Sequence, residues 1–226
     1  MKSWKSIMRL SLPALAGLCA GAAWAEPVAL PAGSWDLMYN IWLIIAVAIY
    51  LIVAVPMLYF LRKYRYQEGV NEVGSTEEGG TGLEILWTVI PLMIMIYLAS
   101  QGFALYTTQR HAPAGAMPVK VQGMMWGWSF EYENGKKSIS DLYVPVGKPV
   151  KLLMTSKDVI HSFHIPEAKT MEDVVPGRVT DMWFQFNKAG DYRAYCREYC
   201  GTAHSYMLAT IKAVPADEFE RWLKSS

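Results

Sequence analysis

Two uninterrupted apolar runs organise the first half of the chain, and short apolar and aromatic runs separated by turn residues organise the second. The first run covers 37–61, "LMYNIWLIIAVAIYLIVAVPMLYFL", and the second covers 85–106, "ILWTVIPLMIMIYLASQGFALY". Neither contains Asp, Glu, Lys or Arg. A helix needs about 20 apolar residues to cross the hydrocarbon layer of a membrane. Both runs reach that length, so two spanning helices are predicted over 37–61 and 84–106. Pro56 and Pro91 do not oppose this, because membrane helices tolerate proline.

A third apolar stretch opens the chain. Lys2, Lys5 and Arg9 precede "LSLPALAGLCAGA", and Ala23-Trp24-Ala25 follows. A basic head, a short apolar core and an A-x-A site make a secretory signal over 1–25, cut before Glu26. A lipoprotein signal fits less well, since Leu18 precedes Cys19 where a small residue is needed. The first helix then runs inward and ends in Arg62-Lys63-Tyr64-Arg65, a basic cluster that belongs on the cytoplasmic side. The second helix returns outward. The expected arrangement is a hairpin over 26–106 in a bacterial inner membrane, with 107–226 in the periplasm.

The outer segment has about 120 residues, enough for one core. Its texture is β-like. "VKVQGMMWGWSFEY", "KPVKLLMTS", "VTDMWFQF", "DYRAY" and "LATIKAV" are short runs enriched in apolar, aromatic or β-branched residues. "ENGKKS", "VPVGKP", "VPGR" and "NKAGD" punctuate them with turn residues. Many short strands with Gly/Pro turns predict a sandwich or barrel. Only 215–224, "PADEFERWLK", reads as helical, with Pro at its start. Net charge is +1 over 226 residues, and from Thr107 onward 15 Lys and Arg face 13 Asp and Glu. No polybasic face suggests nucleic-acid binding.

The candidate chemistry lies in 196–207, "CREYCGTAHSYM", with the spacing Cys-x3-Cys-x3-His-x2-Met. Of three cysteines, Cys19 leaves with the signal, so the mature chain carries only Cys196 and Cys200. In an exported protein two cysteines suggest a disulfide. A bridge closing so small a loop would stabilise little and would leave His204 and Met207 without a reason. The alternative is a metal. Thiolate, imidazole and thioether are soft or borderline ligands that together favour copper; zinc accepts Cys and His but has little use for Met. Two cysteines suggest thiolates bridging two coppers. A further strong ligand must come from His111, His161 or His164, and His161 stands in "KDVIHSFHIP" just after a predicted strand.

Taken together, these segments resemble subunit II of cytochrome c oxidase, the copper-bearing subunit of the haem–copper respiratory oxidases. The resemblance covers nearly the whole chain after the signal. It includes the two-helix hairpin, "LEILWTVIP" opening the second helix, "WGWSFEY", "DVIHSF", "VPGR" and the 196–207 cluster. It implies a cupredoxin-like Greek-key domain behind the transmembrane hairpin. It implies a binuclear CuA centre in which Cys196 and Cys200 bridge the metals and His161 and His204 are terminal ligands. Met207 is then a weak ligand to one copper, and the backbone carbonyl of Glu198 serves the other. The Glu198 carboxylate would bind a Mg2+ ion shared with subunit I.

The resemblance also assigns roles outside the cluster. Trp126 would receive the electron from cytochrome c. Here the sequence departs from the family, with Met125 where Gln is common and Gly127 where an aromatic is common, so a softer loop and a different donor are expected. Trp128 is expected in the core or at an interface. Glu131, Glu133, Asp141 and Asp158 are candidates for an acidic docking face. Glu84 matches an acid near the mouth of a proton path in subunit I, although Thr81-Gly82-Leu83-Glu84 also reads as a capping box. His164 falls where the family has an apolar or aromatic residue and is placed outside the ligand set; His111 is expected in solvent.

The function implied is that of a proton-pumping cytochrome c oxidase. Its partners would be subunits I and III and a periplasmic cytochrome c, with haem held only by the partner subunit. No C-x-x-C-H stretch occurs, so no fused c-type haem domain is expected. A CuA subunit of another terminal reductase, such as a nitric oxide reductase, stays open as an alternative. So does a metal-free membrane-anchored β-domain with a disulfide. A quinol oxidase subunit is disfavoured, because that group lacks the copper cysteines.

Overall fold

The computed structural model describes residues 27–70 and 79–225; the expected signal segment lies outside them. Two long helices, α1 (Ala32–Lys63) and α2 (Thr81–Arg110), contain both apolar runs and extend past them at each end. Hydropathy marks only the part of a helix that suits lipid, whereas backbone hydrogen bonding continues until the chain leaves helical geometry. For α2 that happens at Gly80 and His111, both extended. Nearly every apolar side chain along the two helices is exposed, an exterior that suits lipid and would be unfavourable in water. The capping box expected at Thr81 does not form. Gly80 is the N-cap, no side chain caps the helix, and the Gly80 carbonyl accepts the N–H groups of Leu83 and Glu84 at 2.9 and 3.2 Å. Thr81 therefore sits one position inside the helix, where its hydroxyl cannot play the capping role.

The remainder is all-β apart from one short helix. Strand β1 (Ala29–Leu30) precedes α1; β2 (Met117–Met124), β3 (Gly127–Tyr132), β4 (Lys137–Ile139), β5 (Asp141–Pro145) and β6 (Val150–Ser156) follow α2. Then come β7 (His161–Ile165), β8 (Thr170–Val174), β9 (Thr180–Phe186), β10 (Gly190–Cys196), β11 (Leu208–Val214) and α3 (Ala216–Lys224). One sheet has the order β1-β9-β6-β2-β3-β4 and the other β5-β11-β10-β7-β8. The β2–β6 and β5–β11 pairs are parallel and the rest antiparallel. This is the mixed two-sheet sandwich of a cupredoxin-like domain.

Period-two burial explains the strands. β6 buries Val150, Leu152, Met154 and Ser156 and turns the residues between them outward; β3 does the same with Trp128, Phe130 and Tyr132. The sheets meet through aromatic edges: the Trp128 and Phe163 rings lie 4.8 Å apart at 88°, and Phe130 and Phe163 6.2 Å apart at 80°. Truncating one such ring in a close-packed interior costs roughly 3–5 kcal/mol. Across from the site, α3 lays Phe219 and Trp222 over Tyr132, while Trp222 stacks on Tyr143 at 4.2 Å.

Polar contacts join the sandwich to the helix ends. Trp183 donates its indole N–H to the Thr108 carbonyl at 2.9 Å. Lys169 pairs with Asp36 of α1 and Glu172 with Arg110 of α2. The β7–β8 hairpin is thereby held against the ends of both helices. At one end of the five-stranded sheet, His161 opens β7 and Cys196 closes β10, with Cys196 paired to Phe163. That end carries the candidate site.

Candidate metal centre

Three loops converge there. The first joins β6 to β7 and is shaped by Asp158. Its Oδ1 accepts the Val159 N–H at 2.7 Å and lies 2.8 Å from His161 Nε2. Its Oδ2 accepts the Met125 N–H at 2.7 Å, tying in the β2–β3 turn. Burial opposes the Asp158 charge, but the Met125 N–H, the His161 imidazole and the Val159 N–H outweigh it and hold the carboxyl down to about 2. With Nε2 occupied by the carboxylate, His161 turns Nδ1 inward, 3.8 Å from Cys196 Sγ.

The second loop, 197–207, is closed at its base by the Cys196 N–H donating to the Met207 carbonyl at 3.1 Å. The Arg197 N–H donates to the Ser162 carbonyl at 3.0 Å. A single 3-10 turn, His204–Tyr206, brings His204 and Met207 back toward the cysteines. The sulfurs of Cys196 and Cys200 stand 3.8 Å apart and are unbonded; a disulfide requires about 2.05 Å. Cys200 Sγ is 3.5 Å from His204 Nδ1 and 3.6 Å from Met207 Sδ. Cys196 Sγ is 3.3 Å from the Glu198 carbonyl oxygen. His161 and Met207 are 0% exposed, Cys200 4% and Cys196 6%.

The third loop carries Trp126, whose indole N–H donates to the Cys200 carbonyl at 3.2 Å. The Trp126 ring is 44% exposed, so it spans the distance from solvent to the cysteine loop. Gly201 makes this approach possible: its φ is +119°, and a Cβ there would lie 3.2 Å from the Trp126 Nε1.

The donor set fits a metal. The ligand atoms of His161, Cys196 and Cys200 all lie within 4.8 Å of one another. Burial, then the neighbouring Cys196 sulfur, pushes the Cys200 thiol up to about 12. Metal binding would release the thiol protons, and soft sulfur with imidazole selects copper or zinc over hard ions. The thioether of Met207, fully buried and aimed at Cys200, adds a soft donor that zinc would not use. His161 also has the carboxylate partner on its second nitrogen that metal-bound histidines characteristically keep.

Among the expected site residues, the structure brings together His161, Cys196, the Glu198 carbonyl, Cys200, His204 and Met207, with Trp126 against them. Glu84 is not part of this group. It lies in the first turn of α2, roughly 35 Å along the helix from the β-domain by its rise per residue. The His111 Nδ1 lies 2.8 Å from the Thr107 carbonyl at the end of α2, in solvent. His164 is not among the clustered ligand residues and lines a surface hollow with Arg197; burial, then the Arg197 charge, lowers its pKa.

Of the four carboxylates expected on an acidic docking face, three are engaged and Glu133 is exposed. Glu131 pairs with Lys120 and Lys137, Asp141 pairs with Lys212, and Asp158 is consumed inside its own loop. Asp158 instead ties His161 to the β2–β3 turn. Its position three residues before His161 was the available signal.

The family profile for the cytochrome c oxidase subunit II transmembrane domain matches residues 32–105, and that for the periplasmic domain matches 137–214. Cytochrome c oxidase subunit 2 of Alkalihalophilus pseudofirmus is 32% identical over 238 residues, covering 99% of this chain and 70% of that protein. Its counterpart in Cereibacter sphaeroides is 27% identical, covering 81% of this chain and 73% of that protein. The crystal structure of the periplasmic domain of subunit II of cytochrome oxidase from Bradyrhizobium japonicum aligns with a TM-score of 0.49 and 30% identity, over 50% of this chain and 95% of that one. With the transmembrane and periplasmic profiles together matching most of the chain, and a relative 32% identical over 99% of it, the chain belongs to the cytochrome c oxidase subunit II family.

Proposed function

We propose that this chain is the electron-accepting subunit of a proton-pumping cytochrome c oxidase, holding a binuclear copper centre. Cys196 and Cys200 would bridge the metals, His161 and His204 would be terminal ligands, and Met207 and the Glu198 carbonyl would complete the set. When bound, two thiolate-bridged coppers supply a one-electron relay that needs little rearrangement on reduction. The observation that carries the reading is the pair of unbonded sulfurs 3.8 Å apart, flanked by two imidazole nitrogens and a thioether.

The protein's own part is to hold these donors rigid and dry. The Asp158 carboxylate fixes one imidazole from behind. The Cys196–Met207 backbone bond clamps the loop ends, and strands β7, β10 and β11 anchor the loop on both sides. Trp126 offers a donor cytochrome c an exposed ring in hydrogen-bond contact with the cysteine loop. Met125 beside it is also about half exposed. With Glu131, Asp141 and Asp158 engaged, the exposed Trp126 and Met125 would give recognition of the donor an apolar part.

Three further roles belong to this reading. The Glu198 side chain is exposed on the loop, free to reach a Mg2+ ion whose other oxygen ligands would come from subunit I. Glu84, exposed at the opposite end of α2, would stand at the mouth of a proton path in subunit I. Subunit III would complete the complex in a bacterial inner membrane, with residues 107–226 in the periplasm and haem in subunit I.

The test is metal content and spectrum of the full chain. Two coppers per chain with a delocalised mixed-valence EPR signal, both lost in Cys196→Ser, are expected. A colourless protein with Cys196 and Cys200 oxidised to each other, or an unaltered signal in that variant, would overturn the assignment.

A further inference from the structure

Gly123 lies in β2, directly opposite Trp128 in β3 and beside Ser156 in β6. Its φ is not in the left-handed region, so the backbone does not require glycine there. Glycine in a strand interior costs stability, and where it persists it commonly marks a close approach. The approach here is specific. A Cβ at 123 would lie 3.1 Å from Cζ3 of Trp128, 3.2 Å from Cδ2 of His161 and 3.4 Å from Cγ1 of Val174. The absent side chain is therefore the space in which two buried rings meet.

The two rings are not equally free to yield. Trp128 is 0% exposed and braced edge-on by Phe163 at 4.8 Å. It meets His161 edge-on at 5.8 Å and 66°. His161 is held by Asp158 at one nitrogen and by packing elsewhere. Pressure applied at Cδ2, the carbon next to Nε2, turns the imidazole about its Asp158 contact and redirects Nδ1. The Gly123 carbonyl also accepts the Lys157 N–H at 3.0 Å, tying the same residue to the loop that presents His161.

We infer that Gly123 is a positioning residue for the His161 imidazole: by lacking a side chain it lets Trp128 and β2 close on that ring and set the direction of its Nδ1. The inference rests on the proposed reading of His161 as a copper ligand. It predicts a defect in the metal centre rather than only in the fold.

The experiment titrates the full chain with copper ions and records affinity and the EPR and visible spectra of the loaded protein. Gly123→Ala is expected to weaken copper binding about tenfold, the scale seen when groups that orient a ligand are disturbed, and to shift the spectrum. Gly127→Ala is the control on the same hairpin. Nothing lies within 4 Å of a Cβ at 127, so affinity and spectrum should match the wild type.

If Gly123→Ala alone does not fold, Gly123→Ala/Trp128→Phe takes its place and is compared with Trp128→Phe. The indole clash is then relieved while the His161 contact persists, so the same loss and shift are expected. Wild-type affinity and spectrum in Gly123→Ala, or no difference between the double variant and Trp128→Phe, would overturn the inference. His161→Asn separates the two levels. If it keeps the wild-type centre, the ligand reading fails. If it abolishes the centre while Gly123→Ala changes nothing, only the positioning role fails.

Discussion

Asp158 and His161 face each other across 2.8 Å, Oδ1 to Nε2, while the other ring nitrogen of His161 looks toward Cys196 Sγ at 3.8 Å. One carboxylate thus orients a buried imidazole and, through its second oxygen, the Met125 N–H beside Trp126. The loop that would hold a metal ligand and the loop that would meet a donor share a single anchor.

Asp158→Asn should therefore weaken the metal site more than the fold. The amide keeps the shape and can still accept one backbone N–H, but it cannot supply the anionic partner to His161. Copper affinity is expected to fall about ten- to a hundredfold. Asp158→Ala leaves the Val159 and Met125 N–H groups without their acceptor and should cost a further ~1–3 kcal/mol. Copper titration and denaturant unfolding measure the two effects separately. Equal copper affinity in Asp158→Asn would show that the carboxylate does not support the ligand.

Trp126→Phe should leave the copper content intact and slow electron uptake. The substitution removes the N–H donated to the Cys200 carbonyl at 3.2 Å and the part of the ring against Gly201. It leaves every proposed ligand untouched. Stopped-flow reduction of the oxidase by its cytochrome should slow by roughly tenfold, about 1.4 kcal/mol on the barrier. An unchanged rate would move the point of electron arrival elsewhere.

Tyr132 tests the opposite end of the sandwich. Its hydroxyl donates to the Tyr143 carbonyl at 2.9 Å and accepts the Tyr143 N–H at 2.8 Å. Burial raises its pKa well above the usual phenol value. The neutral phenol is then favoured in the folded state, so its contribution is complete below about pH 10, the unfolded value. Above that pH the unfolded chain loses the proton first, and stability should fall by up to about 1.4 kcal/mol per pH unit. Tyr132→Phe should lower stability at neutral pH by ~1–3 kcal/mol through the stranded Tyr143 groups and flatten the alkaline decline. Urea unfolding at several pH values checks both. An equal alkaline slope in the two proteins would count against the assignment.

Several features were legible in the one-dimensional pattern. Charge-free runs of membrane length need no tertiary context to be recognised, because lipid imposes its own length scale. Apolar, aromatic and β-branched enrichment around 150–156 and 127–132 likewise marks strands, whose buried side the structure then shows. The ligand types of 196–207 were legible because four of them sit in one short loop, where chain connectivity alone keeps them close. By itself, then, the sequence determined the hairpin, the β-sandwich texture and the soft-ligand chemistry.

Tertiary structure decided the rest. Whether Cys196 and Cys200 bond each other or stand open depends on the turn that places them 3.8 Å apart. The role of Asp158 depends on a hydrogen bond to Met125, 33 residues away. The need for glycine at 123 depends on two rings from other strands. Local patterns report what each residue can do. Which partner it meets is set by strand pairing and core packing between distant segments, and that contact, more than residue type, separates a free acid from an anchor and a permissive glycine from an obligatory one.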